Sequence, residues 1–150
     1  NANQKDIFHT SFEEGEGNSA DGDSKTGRKS KTGGFSKTLT GLTSGDYVLS
    51  YWQKSGGTWN LQKSIVTVSG GSHDIIIPAD KQVDEIRFYP KTARMTTYTY
   101  EPLIGMTSQC NENDEIVYYE YDSFGRLQTV RDKEGRVIKT NDYQYQQPNN

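Results

Sequence analysis

Few side chains in this sequence could do chemistry, and their spacing narrows what that chemistry is. Three carboxylate pairs, Glu13-Glu14, Asp84-Glu85 and Asp114-Glu115, are the main material for acid–base work. Each pair is adjacent in sequence. Neighbours on a strand point to opposite faces, so no pair converges by itself, and a glycosidase would have to assemble carboxylates from distant strands. The single cysteine, Cys110, lies far in sequence from the only histidines, His9 and His73. A thiol or hydroxyl nucleophile therefore has little base to draw on. No Gly-x-Ser-x-Gly elbow, His-Glu-x-x-His or phosphate loop occurs. The expectation is a protein that binds rather than catalyses, with a glycan-active enzyme as the last alternative. Aromatic rings are the better-supplied resource. Trp52 and Trp59, with Tyr47 and Tyr51 behind them, are the type of side chain that stacks on sugar rings, although a strand tryptophan is more often core than ligand platform.

The elements that must position these groups are strands. The chain has 150 residues, enough for one domain or two small ones. Its apolar fraction is only 31%, but ten tyrosines and fifteen glycines accompany it, a mixture suited to thin β cores. No window shows helical periodicity. Period-2 patterns run through 7–12, 35–39, 46–54, 59–68, 74–77 and 83–89, separated by glycine-rich turns, and predict an antiparallel sandwich. Along 46–54 the alternation puts Tyr47, Leu49 and Tyr51 on one face, expected to be core, and Val48, Ser50 and Trp52 on the other. The segment 54–58 reads as a hairpin turn that holds Trp52 and Trp59 on adjacent strands. Pro90 closes the series. Strands over 96–101, 104–109, 116–122, 125–131 and 136–143 follow, with turns at 111–115 and 132–135.

Net charge is −3 with both signs interspersed, so no basic face for nucleic acid is expected, and no apolar run has the length of a membrane span. Cys110 cannot close an internal disulfide and reads as a small buried hydrophobe. The chain begins at Asn1 without Met, and an excised portion of a longer polypeptide is the expectation.

The last third carries an internal echo. Tyr98-Thr-Tyr100 returns 21 residues later as Tyr119-Glu-Tyr121, and the same offset takes Met106 to Leu127, Asn111 to Asp132 and Ile116 to Val137. The second copy reads Tyr119-Glu-Tyr121-Asp122-Ser-Phe124-Gly125-Arg126-Leu127, then Asp132-Lys-Glu-Gly135-Arg136-Val137. This resembles the YD repeat of RHS-type proteins. The resemblance implies an exported or surface-displayed protein, a β scaffold, and neighbouring repeats or a partner chain as the contact. Two units bury little on their own. Tyr98, Tyr100, Tyr119 and Tyr121 are therefore expected to line packed faces against the sandwich or a partner, with ligand chemistry upstream of Met95.

Upstream, Ser11-Phe12-Glu13, Thr26-Gly27-Arg28-Lys29-Ser30 and Val83-Asp84-Glu85-Ile86-Arg87-Phe88-Tyr89 resemble the skeleton of jelly-roll carbohydrate-binding modules with a galactose-binding-like fold. That resemblance implies a structural calcium on Glu13 and Asp84, and glycans as partners. The alternative is that both acids pair with basic residues of neighbouring strands.

The resulting expectation is an all-β chain: an antiparallel jelly-roll sandwich over 1–94, YD-type hairpins over 95–145 and a disordered tail over 146–150. It acts as an extracellular or cell-surface module for adhesion or scaffolding, alternatively as a calcium-stabilised carbohydrate-binding module using Trp52 and Trp59.

Overall fold

A computed structural model describes residues 7–142, all-β among those residues, with antiparallel pairing throughout. The tail expected over 146–150, and Tyr143 with Tyr145, lie outside the described residues.

The first seven strands are β1 (Phe8–Thr10), β2 (Lys31–Thr32), β3 (Phe35–Thr40), β4 (Gly45–Ser55), β5 (Thr58–Val68), β6 (Ser72–Ile77) and β7 (Gln82–Pro90). They make a larger sheet, ordered β1-β7-β4-β5 with β2 also on β7, and a two-stranded sheet, β3-β6. The long β4–β5 hairpin is set by Gly56 and Gly57. Both have positive φ, 57° and 84°, which is what a two-residue turn between right-twisted strands demands. The two sheets share one core. Tyr47, Val68, Val83, Ile86 and Phe88 from the larger sheet meet Ile75 and Ile77 of β6, with Leu49 and Tyr51 packed at its edge. Tyr47 stacks on Phe88 with ring centroids 4.7 Å apart. The short strand β2 had no sequence signal, because two residues cannot show a period.

The last five strands are β8 (Thr97–Glu101), β9 (Gly105–Cys110), β10 (Ile116–Tyr121), β11 (Leu127–Arg131) and β12 (Val137–Thr140). They form a meander in chain order, with β8 and β12 at its edges. Its turns explain the 21-residue echo. Asp122 Oδ1 accepts the amides of Phe124 and Arg126, and Asp122 Oδ2 takes the Arg126 guanidinium at 2.9 Å. Asp132 repeats every one of these bonds with Glu134 and Arg136. Asn111 does the same for Asn113 and Glu115 through its side-chain carbonyl. In each turn the fourth residue has positive φ: Asp114, Gly125 and Gly135. One chemistry thus recurs at the last three of the four hairpins, at alternate ends of the sheet, while the β8–β9 turn over 101–105 closes with the Ile104 amide on the Glu101 carbonyl. The offset of 21 is two strands and two turns, which brings the chain back to the same end.

Cross-strand register assigns the faces. Tyr98 pairs with Gln109, Gln109 with Val117, and Tyr119 with Val130, so Tyr98, Tyr100, Tyr119 and Tyr121 share one face. Thr97, Thr99, Ser108, Cys110, Ile116 and Tyr118 share the other. That second face meets the sandwich: Cys110 and Ile116 pack on Trp52, and Met95 packs on Val48 and Tyr89. Of the two contacts expected for the four tyrosines, the sandwich or a partner chain, the first is therefore corrected. Period 2 groups them properly, but on the face opposite the one seated on the sandwich, and Tyr98 and Tyr100, 44% and 61% exposed, only border the segment 9–16 across an open cleft.

Candidate functional site

The polar groups with chemical potential gather where the meander sits on the larger sheet. The cause is a bulge in β7. Ser50 pairs with Arg87 and Trp52 with Asp84, so Glu85 and Ile86 together oppose Tyr51. Glu85 takes φ 50°, and the alternation of β7 slips by one. Strict alternation would send Asp84 and Glu85 to opposite faces. With the extra residue both reach the same loop: Asp84 Oδ2 accepts the amides of Lys25 (2.7 Å) and Thr26 (2.9 Å), and Glu85 Oε2 accepts the Thr26 hydroxyl at 2.9 Å. The expected divergence of this pair is thereby corrected. Glu85 Oε1 also meets His9 Nε2 at 3.1 Å and the Thr97 hydroxyl. Burial raises the Asp84 carboxyl well above its ordinary range, against the pull of its amide donors. Burial also raises Glu85, but His9, Thr97 and Thr26 outweigh it and its net shift is downward.

Beside this pair lies a cation absent from the sequence reading. Arg87 is 1% exposed. Its guanidinium donates to the carbonyls of Asn111 (2.8 Å) and Met95 (2.9 Å) and touches Cys110 Sγ. Asp114 Oδ1 stands 3.8 Å away, and Asp114 Oδ2 accepts Lys63 Nζ at 2.6 Å. Asp114 thus joins β5, β7 and the β9–β10 turn from a left-handed backbone slot where the other two turns use glycine. The signal that could have found it was there: an acid stands where the repeat puts Gly125 and Gly135. Burial raises the Cys110 thiol to about 11.

The aromatic candidates separate. Trp52 and Trp59 do come to one face, since Trp52 pairs with Leu61 and Lys54 with Trp59. That face is covered. Trp52 is 8% exposed, packs with Cys110 and Ile116, and has Lys25 Nζ 4.3 Å from its ring centroid. Trp59 is half-buried against the same cluster. Tyr47 is core, its hydroxyl donating to the Thr43 carbonyl, and Tyr51 packs beside the core.

The carboxylate oxygens expected to hold calcium have other partners here. Glu13 Oε1 accepts the amides of Arg28 and Lys29, and a methyl at Gly27 would lie 2.5 Å from the Glu13 carboxyl. Asp84 Oδ1 accepts the Glu85 amide while Oδ2 takes Lys25 and Thr26. Calcium requires six to eight oxygens turned toward it. Here both carboxylates are turned toward N–H donors and fasten one loop, 25–29, from two sides. The donor set does not fit calcium, and among the described residues no group of three or more His, Cys, Asp or Glu is placed to hold a metal.

Two hollows remain open. One, about 690 Å³, is lined by Gly33, Gly34, Phe35, Ile76 and Lys31 near the end of the small sheet. The other, about 580 Å³, lies between the segment 9–16 and β8, where Tyr98 and Tyr100 stand opposite Glu13 and Glu14. Comparison of the chain with protein-family models, curated proteins and solved structures gives no match.

Proposed function

We propose that the chain is a non-catalytic interaction module, for adhesion or scaffolding, of a larger exported or surface-displayed β protein of the RHS/YD kind, with a jelly-roll sandwich carrying YD-type hairpins. The observation that carries this reading is the unfinished state of the meander. Its inner face is sealed on the sandwich, while its last described strand is bare. All four residues of β12 are exposed, including Val137 and Ile138, which point to opposite faces. Among the described residues no strand pairs with the outer edge of β12, and a strand with apolar groups uncovered on both sides and such an edge is a template for another strand. The matching turns at Asp122 and Asp132, with a related one at Asn111, supply the means of adding hairpins in register. Neighbouring repeats or a partner chain are the contacts that such a surface takes. The buried position of Trp52 does not favour the glycan-binding alternative on the two tryptophans.

The test is to insert a copy of residues 122–142 directly after Asp142, adding two strands and two turns in the existing 21-residue period. The melting temperature should rise, because each repeat is stabilised by its neighbour. An insert that leaves the melting temperature unchanged and is trimmed by protease as fast as an unfolded segment would overturn the reading.

A further inference from the structure

The cleft beside β8 is built differently from the bare edge at β12. Tyr98, Thr99 and Tyr100, three consecutive residues of an edge strand, form one wall. Thr99 points inward, its hydroxyl bonded to those of Thr107 and Ser108, and so anchors the wall. The two tyrosine rings lie outward, with centroids 6.4 Å apart and planes tilted by 38°. The opposite wall is the segment 9–16, held by the Thr10 hydroxyl, which donates to Glu16 Oε2 and accepts the Phe12 amide. That wall is acidic: Glu13, Glu14 and Glu16 line it. The one guanidinium there, Arg28, is paired with Asp21 at 2.6 Å, a carboxylate it shares with Lys29, and faces Glu101 at 3.8 Å. His9 is turned toward Glu85. Glu14 is exposed and has no partner among the described residues.

Exposed tyrosine rings across from an acidic wall, of which Glu14 has no partner among the described residues, make a site for a cation, which the rings attract through their quadrupoles and the acids through their charge. A neutral sugar would use the rings but leave the acids unpaired, and an acidic ligand would be repelled. The outer edge of β8, on which no strand pairs among the described residues, adds a second specification. An extended chain laid there can continue the ladder and present alternate side chains to the cleft. We propose that this cleft binds an extended basic polypeptide segment, added as a strand to β8, with Lys or Arg side chains held between Tyr98 or Tyr100 and Glu14 or Glu16. This names a partner class for the interaction module and rests on that reading, but at the edge remote from β12.

The probe is a decapeptide alternating arginine and threonine, titrated into the whole chain at low salt and followed by amide and tyrosine-ring NMR shifts. Its counterpart alternating glutamate and threonine, and cellotetraose, serve as comparisons. The basic peptide should saturate, with shifts centred on Tyr98–Tyr100, and bind more weakly as salt rises. Tyr100→Ala and Glu14→Gln, both at exposed positions, should each weaken it about three- to fivefold with the melting temperature unchanged. No saturation, equal binding of the acidic peptide, saturation by the oligosaccharide at the same residues, or indifference to both substitutions would each overturn the proposal. Such a failure would leave the β12 reading intact, since the inserted repeat tests the opposite edge.

Discussion

Replacing Asp114 by glycine should cost less stability than replacing it by alanine, although both remove the same carboxylate. Asp114 is 4% exposed, faces buried Arg87 at 3.8 Å and accepts Lys63 Nζ at 2.6 Å. Removing one partner of a buried pair costs about 3–5 kcal/mol. The low end applies, because Arg87 keeps two carbonyl acceptors and the Lys63 side chain is 40% exposed, where pairing contributes little. Alanine keeps the left-handed strain at φ 60°, about 1–2 kcal/mol for a residue with Cβ. Glycine relieves it but adds about 0.5–1 kcal/mol of unfolded-chain entropy. The net expectation is a loss of about 3 kcal/mol for Asp114→Ala and about 0.5–1 kcal/mol less for Asp114→Gly. In urea, with a slope of about 2 kcal/mol per molar, the midpoints fall by about 1.5 M and about 1.1 M respectively. The assay is equilibrium unfolding followed by tryptophan fluorescence. Glycine as costly as alanine, or both substitutions within about 0.5 kcal/mol of the unsubstituted chain, would refute the assignment of Asp114 as a strained clip.

Other expectations follow from single sites. Gly34→Ala should prevent folding, since its Cβ would lie 2.3 Å from the Ile77 carbonyl oxygen; Gly135→Ala, facing open space at φ 83°, should cost only about 1 kcal/mol by thermal melt. Similar penalties for the two would contradict the close approach at Gly34. Glu85, raised by burial but lowered overall by His9, Thr97 and Thr26, has a folded pKa below its ordinary 4.5. Its contribution is complete above pH 4.5 and is lost as pH falls through the folded value, so the melting temperature should drop on acidification and Glu85→Gln should flatten that limb. An acid limb unchanged in the variant would show that Glu85 is not the group responsible. Cys110, buried with its thiol raised to about 11, should resist iodoacetamide at pH 8 until urea separates the meander from the sandwich. Prompt alkylation in the absence of denaturant would mean that the junction opens readily.

The strands were legible because β-branched and aromatic residues alternate between glycine turns, as along Tyr47–Trp52 and through the Gly56-Gly57 hairpin. The two faces of β4 were legible too: Tyr47, Leu49 and Tyr51 go to the core, and Val48 and Trp52 turn the other way. What covers Trp52 was not, because Cys110 and Ile116 lie 58 and 64 positions on and no local pattern reports a contact at that distance. The tyrosine pairs were grouped by period 2, yet their side was undetermined. Thr97, Thr99 and Ser108 are small polar residues that read as solvent-facing, and here they are the buried face. The bulge at Glu85 and the left-handed turn at Asp114 were hidden for one physical reason: positive φ is signalled by glycine, and both positions carry acids whose buried partners hold the backbone there.

The most direct test of the account is amide hydrogen exchange over Val137–Thr140, in the chain as it stands and with residues 122–142 duplicated after Asp142. In the unextended chain the outward amides of β12 should exchange near the unprotected rate while those of β10 and β7 are slow. In the extended chain β12 should become protected to the level of β10, because the added strand has paired with it. Fast exchange at β12 in both chains would contradict the claim that this edge is built to be continued.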